Sequence, residues 1–223
     1  MRKIGILSIV LTFVATPAFA QDQSDTENWD GFYAGVHAGG SWLKGDMTGF
    51  TPFNSYQGFP VTDANDSSEA GGVQVGYNHQ MGTIGLGAEA SFTINNLRKE
   101  TVSSTPGTLF WRDTEFNASI GPRVTVATPS FAFYGKGGLA IGKFEVGHNQ
   151  NGNLISNERT LYGYMLGVGA DYALGSNLSL GVQYEYQDFG EGEVFIPSPN
   201  SSEIFIAPNA SLHNLKAVLN YRF

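Results

Sequence analysis

The chain has no cysteine, so no disulfide framework can hold it together in an oxidising compartment. Charge is scarce as well. Only 14% of the residues are Asp, Glu, Lys or Arg, less than a soluble surface of this size normally carries. Basic residues are the rarer sign, 12 against 20 acidic, which makes a poor partner for nucleic acid, where cationic surface must displace counterions. Beyond residue 20 no run approaches eighteen apolar residues, so no helix is long and greasy enough to span a bilayer. A Walker loop, an HExxH helix and a dinucleotide fingerprint are all missing. What the chain does have is 29 Gly, 16 Phe and 10 Tyr.

The N-terminus is read first as an address. Arg2 and Lys3, the apolar run from Ile4 to Val14, and Ala18-Phe19-Ala20 form the three parts of a secretory signal peptide over residues 1–20, with cleavage expected between Ala20 and Gln21. A run of eleven residues is too short for a membrane-spanning anchor, and without a Cys no lipoprotein anchor is expected. Cleavage removes two of the 12 basic residues, leaving 10 against 20 acidic ones and a net charge of −10 on the mature chain. Residues 21–28 are polar and expected to be a disordered linker. Residues 29–223 are long enough for one large β domain.

Period two dominates that domain. Leu215, Ala217, Leu219, Tyr221 and Phe223 alternate with Asn214, Lys216, Asn220 and Arg222, and Val218 alone breaks the rule. This is a strand with one apolar face and one wet face, of the length a tilted strand needs to cross a bilayer. Ile84, Leu86, Ala88, Ala90, Phe92 and Ile94 alternate as cleanly with Gly85, Gly87, Glu89, Ser91 and Thr93. Strands are expected from Trp29 to Trp42, Gly72 to Met81, from Ile84, up to Ala127, from Phe131 to Val146, from Arg159 to Leu174, from Leu178, and at the C-terminus. Pro122 and Lys143 mark expected irregularities.

Short turns near residues 83, 129 and 176 separate pairs of strands. The stretches 43–70, 96–109, 147–157 and 190–210 have no sustained period and are expected to be long loops. The fold class is therefore all-β: an eight-stranded antiparallel transmembrane β-barrel, with short turns at one end and long loops at the other. Sealing it removes the edges that lipid would not tolerate. A secreted lipocalin-like barrel also has eight strands, with its apolar face inward. Here the polar face is rich in Gly instead of Lys and Glu. The aromatics also gather at strand ends: Tyr77, Phe131, Tyr172, Tyr221 and Phe223 at one, Trp42, Phe92, Phe116 and Tyr162 at the other.

The terminal strand ending on Phe223 resembles the assembly signal of Gram-negative outer-membrane barrels. Trp29-Asp-Gly-Phe-Tyr-Ala-Gly35, Gly71-Gly-Val-Gln-Val-Gly-Tyr77, Tyr184-Glu-Tyr-Gln-Asp-Phe-Gly190 and Asn220-Tyr-Arg-Phe223 resemble the porin-like, opacity and immunogenic group of small outer-membrane barrels. The resemblance covers the whole mature chain. It implies an outer-membrane location, periplasmic turns and termini, and exposed extracellular loops. It also implies biogenesis partners, namely periplasmic chaperones and the barrel assembly machinery, and a surround of outer-membrane lipid and lipopolysaccharide. Members are often surface antigens, and some contribute to membrane stability, adhesion or haem binding. No motif here carries one of those activities.

Glu89, Arg123, Lys136, Glu185 and Lys216 lie on the polar phase, five to eight residues from the short turns. They are expected to share a mid-membrane layer and to form an ion-pair network plugging the lumen, which in an eight-stranded barrel its own side chains about fill. Independently solvated residues in a wet, narrow diffusion channel are the alternative. A lipid-modifying enzyme is the third reading, resting on Ser211 and His213 on one strand face with no orienting acid. Asp63, Asp66 and Glu69 lack the glycine of a calcium loop, and His148 is a lone loop histidine that a haem could meet. No catalytic, cofactor or metal residue is assigned. The expected function is an envelope-structural barrel whose acidic loops meet external or host partners, with no oligomeric state specified.

Overall fold

The computed structural model describes residues 29–44, 46–50, 59–63, 66–102, 108–150, 153–191, 194–196 and 204–223. The signal peptide, its cleavage site at Ala18, Ala20 and Gln21, and the linker lie outside the described residues. Eleven strands follow in order: β1 (Gly31–Lys44), β2 (Asp46–Phe50), β3 (Phe59–Asp63), β4 (Asp66–Met81), β5 (Ile84–Val102), β6 (Thr108–Ala127), β7 (Phe131–Gln150), β8 (Asn153–Ala173), β9 (Leu178–Glu191), β10 (Val194–Ile196) and β11 (Ile204–Arg222). Eight of them form the wall, in the order β1-β4-β5-β6-β7-β8-β9-β11. The wall closes where β1 pairs antiparallel with β11, from Tyr33↔Arg222 to Lys44↔Ser211. β2 and β10 pair with the outer part of β11, and β3 with β2.

The wall is inside out relative to a soluble protein. Leu139, Tyr162 and Val168 are 68%, 73% and 60% exposed, whereas Glu185, Gln187 and Asn214 are fully buried. The apolar phase of every wall strand therefore faces outward, which decides against the lipocalin arrangement. Outward aromatics pair across neighbouring strands at both ends. Phe32 meets Tyr77 at 4.7 Å and Phe131 meets Tyr172 at 4.9 Å near the short turns. Phe92 and Phe116 meet at 5.4 Å near the other end. These are the girdles that anchor a barrel at two membrane surfaces.

Strands run into all four stretches expected to be loops. β7 and β8 are 20 and 21 residues long and stay paired out to Gln150↔Asn153. Above the lipid no apolar face is selected, so alternation disappears while backbone pairing continues. The pattern that identifies a strand in a membrane is thus silent outside one.

Two irregularities fall where the sequence places them. The β6–β7 register slips between Thr114 and Phe116, so Glu115 bulges opposite Lys143. Between Ile120↔Leu139 and Arg123↔Lys136 the ladder has no pairs at Gly121 and Pro122. A Cβ on Gly121 would sit 2.0 Å from the Gly137 carbonyl oxygen. Only glycine lets the two strands approach so closely beside a proline that has no N–H to offer.

Candidate functional site

The wall turns its polar phase into a lumen filled in layers. At the short-turn end Trp29 is 4% exposed and packs on Ala127, Ala132 and Ala173. Its indole Nε1 donates to the Thr128 carbonyl at 2.9 Å, and its own carbonyl accepts from Asn78 Nδ2 at 2.8 Å. The Arg222 guanidinium lies 4.5 Å over its ring. The indole is thereby fixed inside this end of the barrel.

Ions make up the next layer. The structure brings Glu89, Arg123, Lys136, Glu185 and Lys216 together. Lys136 Nζ lies 2.6 Å from Glu89 and 2.7 Å from Glu185. Arg123 donates to Glu89 at 2.8 Å, and Lys216 stands 3.7 Å from Glu185. Asp171, which the sequence reading left out, takes the second arm of Arg123 at 3.1 Å. Tyr33 donates to Glu89 at 2.7 Å, and the Tyr134 ring centre lies 3.5 Å under the Arg123 guanidinium. Three carboxylates thus face three cations, so the layer is neutral as a unit. That matters because a buried charge without its partner costs several kcal/mol, about 3–5 when one member is removed.

Amides form the third layer. The Ser41 hydroxyl bridges the side-chain amides of Asn95 and Asn214, and Gln187 donates to Asn117 and Glu185. Above it the lumen turns apolar. Leu43, Ala140, Phe144, Met165, Phe189 and Leu212 form one buried cluster, with the Phe144 and Phe189 rings edge to face at 5.1 Å. Inward Phe, Met and Leu residues break strict alternation, as Val218 does. That break was the signal available for this cap, and Val218 is indeed fully buried.

The remaining candidates sit elsewhere. Leu215, Leu219, Tyr221 and Phe223 are 40–59% exposed on the outward phase, which Ala217 shares. Phe223 N–H donates to the Phe32 carbonyl at 3.0 Å, tying the chain end to β1. Ser211 and His213 also face outward; Ser211 Oγ donates to the Lys44 carbonyl and His213 Nδ1 shares a 2.6 Å hydrogen bond with the Tyr184 hydroxyl. The side chains of Asp63, Asp66 and His148 lie outside those described. Among the described residues no group of His, Asp or Glu side chains could hold a metal.

A sealed antiparallel cylinder with aliphatic side chains outside and ion pairs inside is solvated by hydrocarbon, and is a transmembrane β-barrel. The family model for the outer membrane protein beta-barrel domain matches residues 6–223. The chain belongs to that family and is a Gram-negative outer-membrane protein. It is 30% identical to the 31 kDa outer-membrane immunogenic protein of Brucella melitensis over 245 aligned residues, covering 100% of both chains. It is 27% identical to a 22 kDa outer membrane protein of Rhizobium leguminosarum over 73% of this chain and 65% of that one. Among solved structures, the outer membrane protein OprG of Pseudomonas aeruginosa superposes with a TM-score of 0.58 at 12% identity, over 89% of this chain and 99% of that chain. The outer membrane protease OmpT of Escherichia coli gives 0.50 at 11% identity, over 87% and 97%. Both likenesses are of fold.

Proposed function

We propose that the protein is a closed structural barrel of the outer membrane, its lumen plugged by the ion layer, with acidic outer segments that meet external partners. The observation that carries this reading is Lys136, buried and held between Glu89 and Glu185 at 2.6 and 2.7 Å. A cation clamped between two carboxylates in mid-lumen supports a plug over a continuous column of water. The apolar layers at Trp29 and at Phe144 and Phe189 support the same reading from either side. Outer-membrane lipid and lipopolysaccharide surround such a barrel, and the assembly machinery reads its last strand. A structural role is favoured over an enzymatic one because His213 is engaged by Tyr184 and Ser211 by Lys44. Conductance recording on the refolded protein in planar bilayers is the test. The plug predicts no stable conductance; steady openings of the size of a water-filled pore would replace it with the narrow-channel reading.

A further inference from the structure

Between the Trp29 layer and the ion layer the lumen is not packed solid. A cavity of about 10 Å³ lies there, with Trp29, Asn78, Arg123, Thr125 and Asp171 among its lining. That is about the room a single water needs. Two of these side chains lie against the wall instead of across the lumen. A Cβ on Gly85 would strike the Asn78 amide, and one on Gly181 would strike the Asp171 carboxylate. Gly85 also pairs directly with Thr125, which sets the Asn78 amide beside Thr125.

Asn78, Arg123, Thr125 and Asp171 are between 2% and 4% exposed, and each carries one polar atom with no partner among the described residues. These atoms are Asn78 Oδ1, Arg123 Nε, Thr125 Oγ1 and Asp171 Oδ1. Their needs differ. Asn78 donates its Nδ2 to the Trp29 carbonyl at 2.8 Å, so its Oδ1 is left to accept. Asp171 Oδ2 already takes Arg123 Nη2 at 3.1 Å, and Oδ1 is a second acceptor. Arg123 Nε–H can only donate, whereas the Thr125 hydroxyl can do either. Buried polar groups as a rule find a partner, in the protein or in ordered water.

We propose that this cavity binds one water molecule, which bridges β4, β6 and β8. The water donates to Asp171 Oδ1 and Asn78 Oδ1, and accepts from Arg123 Nε–H and the Thr125 hydroxyl. Two donors and two acceptors meet all four needs. No simple ion matches the same set: a cation would face the Arg123 guanidinium, and an anion would face the Asp171 carboxylate and the Asn78 oxygen. An organic molecule exceeds the volume. The water ties Arg123 and Asp171 of the ion layer to Asn78, which holds the Trp29 carbonyl, and so joins the two lower layers of the lumen. The site rests on the plugged reading of the lumen, and the two fail differently. An open lumen conducts; a closed lumen without this water does not.

A crystal structure of the full barrel, fine enough to show ordered solvent, tests the site. One solvent peak is expected within hydrogen-bond reach of Arg123 Nε and Asp171 Oδ1, and of Thr125 or Asn78. The proposal is overturned by no peak, by a direct Arg123 Nε–Asp171 Oδ1 contact in its place, or by an anomalous signal there after a bromide soak. A file of several waters running out past Trp29 overturns it too. Deuteron magnetic relaxation dispersion, on the refolded barrel in detergent, counts long-lived waters in solution. Thr125→Leu, which fills the cavity, should lose one such water relative to wild type, and Thr125→Ser, which keeps the hydroxyl, should lose none. Equal counts in wild type and Thr125→Leu reject the site. The wild-type crystal structure decides the matter even where the leucine variant fails to fold.

Discussion

Glu89 on β5 and Lys136 on β7 meet at 2.6 Å although a whole strand, β6, separates them in the wall. The contact spans the lumen instead of following the sheet. Lys136 also reaches Glu185 on β9 at 2.7 Å, so one ammonium joins three strands that have no ladder in common.

Lys136 should therefore matter more than Lys216, which has one carboxylate at 3.7 Å and a hydrogen bond to Thr93 at 3.1 Å. Lys136→Met is expected to cost about 3–5 kcal/mol, because it removes the near cation of Glu185 and one of the two cations on Glu89, leaving the buried layer one positive charge short, and Lys216→Met distinctly less. Urea unfolding of both variants in lipid vesicles ranks them; equal losses would show that the two lysines share the charge evenly.

Trp29 and Trp42 offer a second check. Trp29 is 4% exposed inside the short-turn end, and Trp42 is 40% exposed on the outward phase. In single-tryptophan variants, with the others changed to Phe, brominated lipids should quench Trp42 strongly. They should leave Trp29 nearly unaffected, and aqueous acrylamide should reach Trp29 poorly too. Ready quenching of Trp29 by acrylamide would mean that this end stands open.

Third, inward and outward apolar residues should respond differently to truncation. Phe144 is 3% exposed within the upper cap, and Leu139 is 68% exposed to lipid. Phe144→Ala leaves a cavity and should cost about 3–5 kcal/mol. Leu139→Ala leaves none, because lipid chains close over it, and should lose only the transfer contribution, about 2 kcal/mol. Equal losses would mean the cap is not tightly packed.

The wall strands were legible because hydrocarbon on one side and a polar lumen on the other write period two into each of them. From 147 to 157 the sequence has no sustained period, and the pairing of β7 with β8 out to Gln150↔Asn153 could not be foreseen. The ion layer was legible from phase and distance to the turns, which places Glu89, Arg123, Lys136, Glu185 and Lys216 at one height. Those five hold three cations and two carboxylates. Asp171, the third carboxylate of the layer, was not foreseen; it stands beside Arg123 at 3.1 Å. The apolar cap was harder to see, since Leu43, Phe144 and Met165 look like lapses in alternation until the five strands that build the cluster are brought together.

The long strands above the membrane have one further consequence. Twenty residues of β7, at about 3.3 Å each and inclined at about 45°, climb roughly 45 Å, well beyond an apolar band about 25 Å tall. Antibodies or host receptors approaching from outside would then meet a braced ribbon of neighbouring strands in place of single floppy segments. Their epitopes would be assembled from two strands at once, present on the native molecule and erased by boiling in detergent.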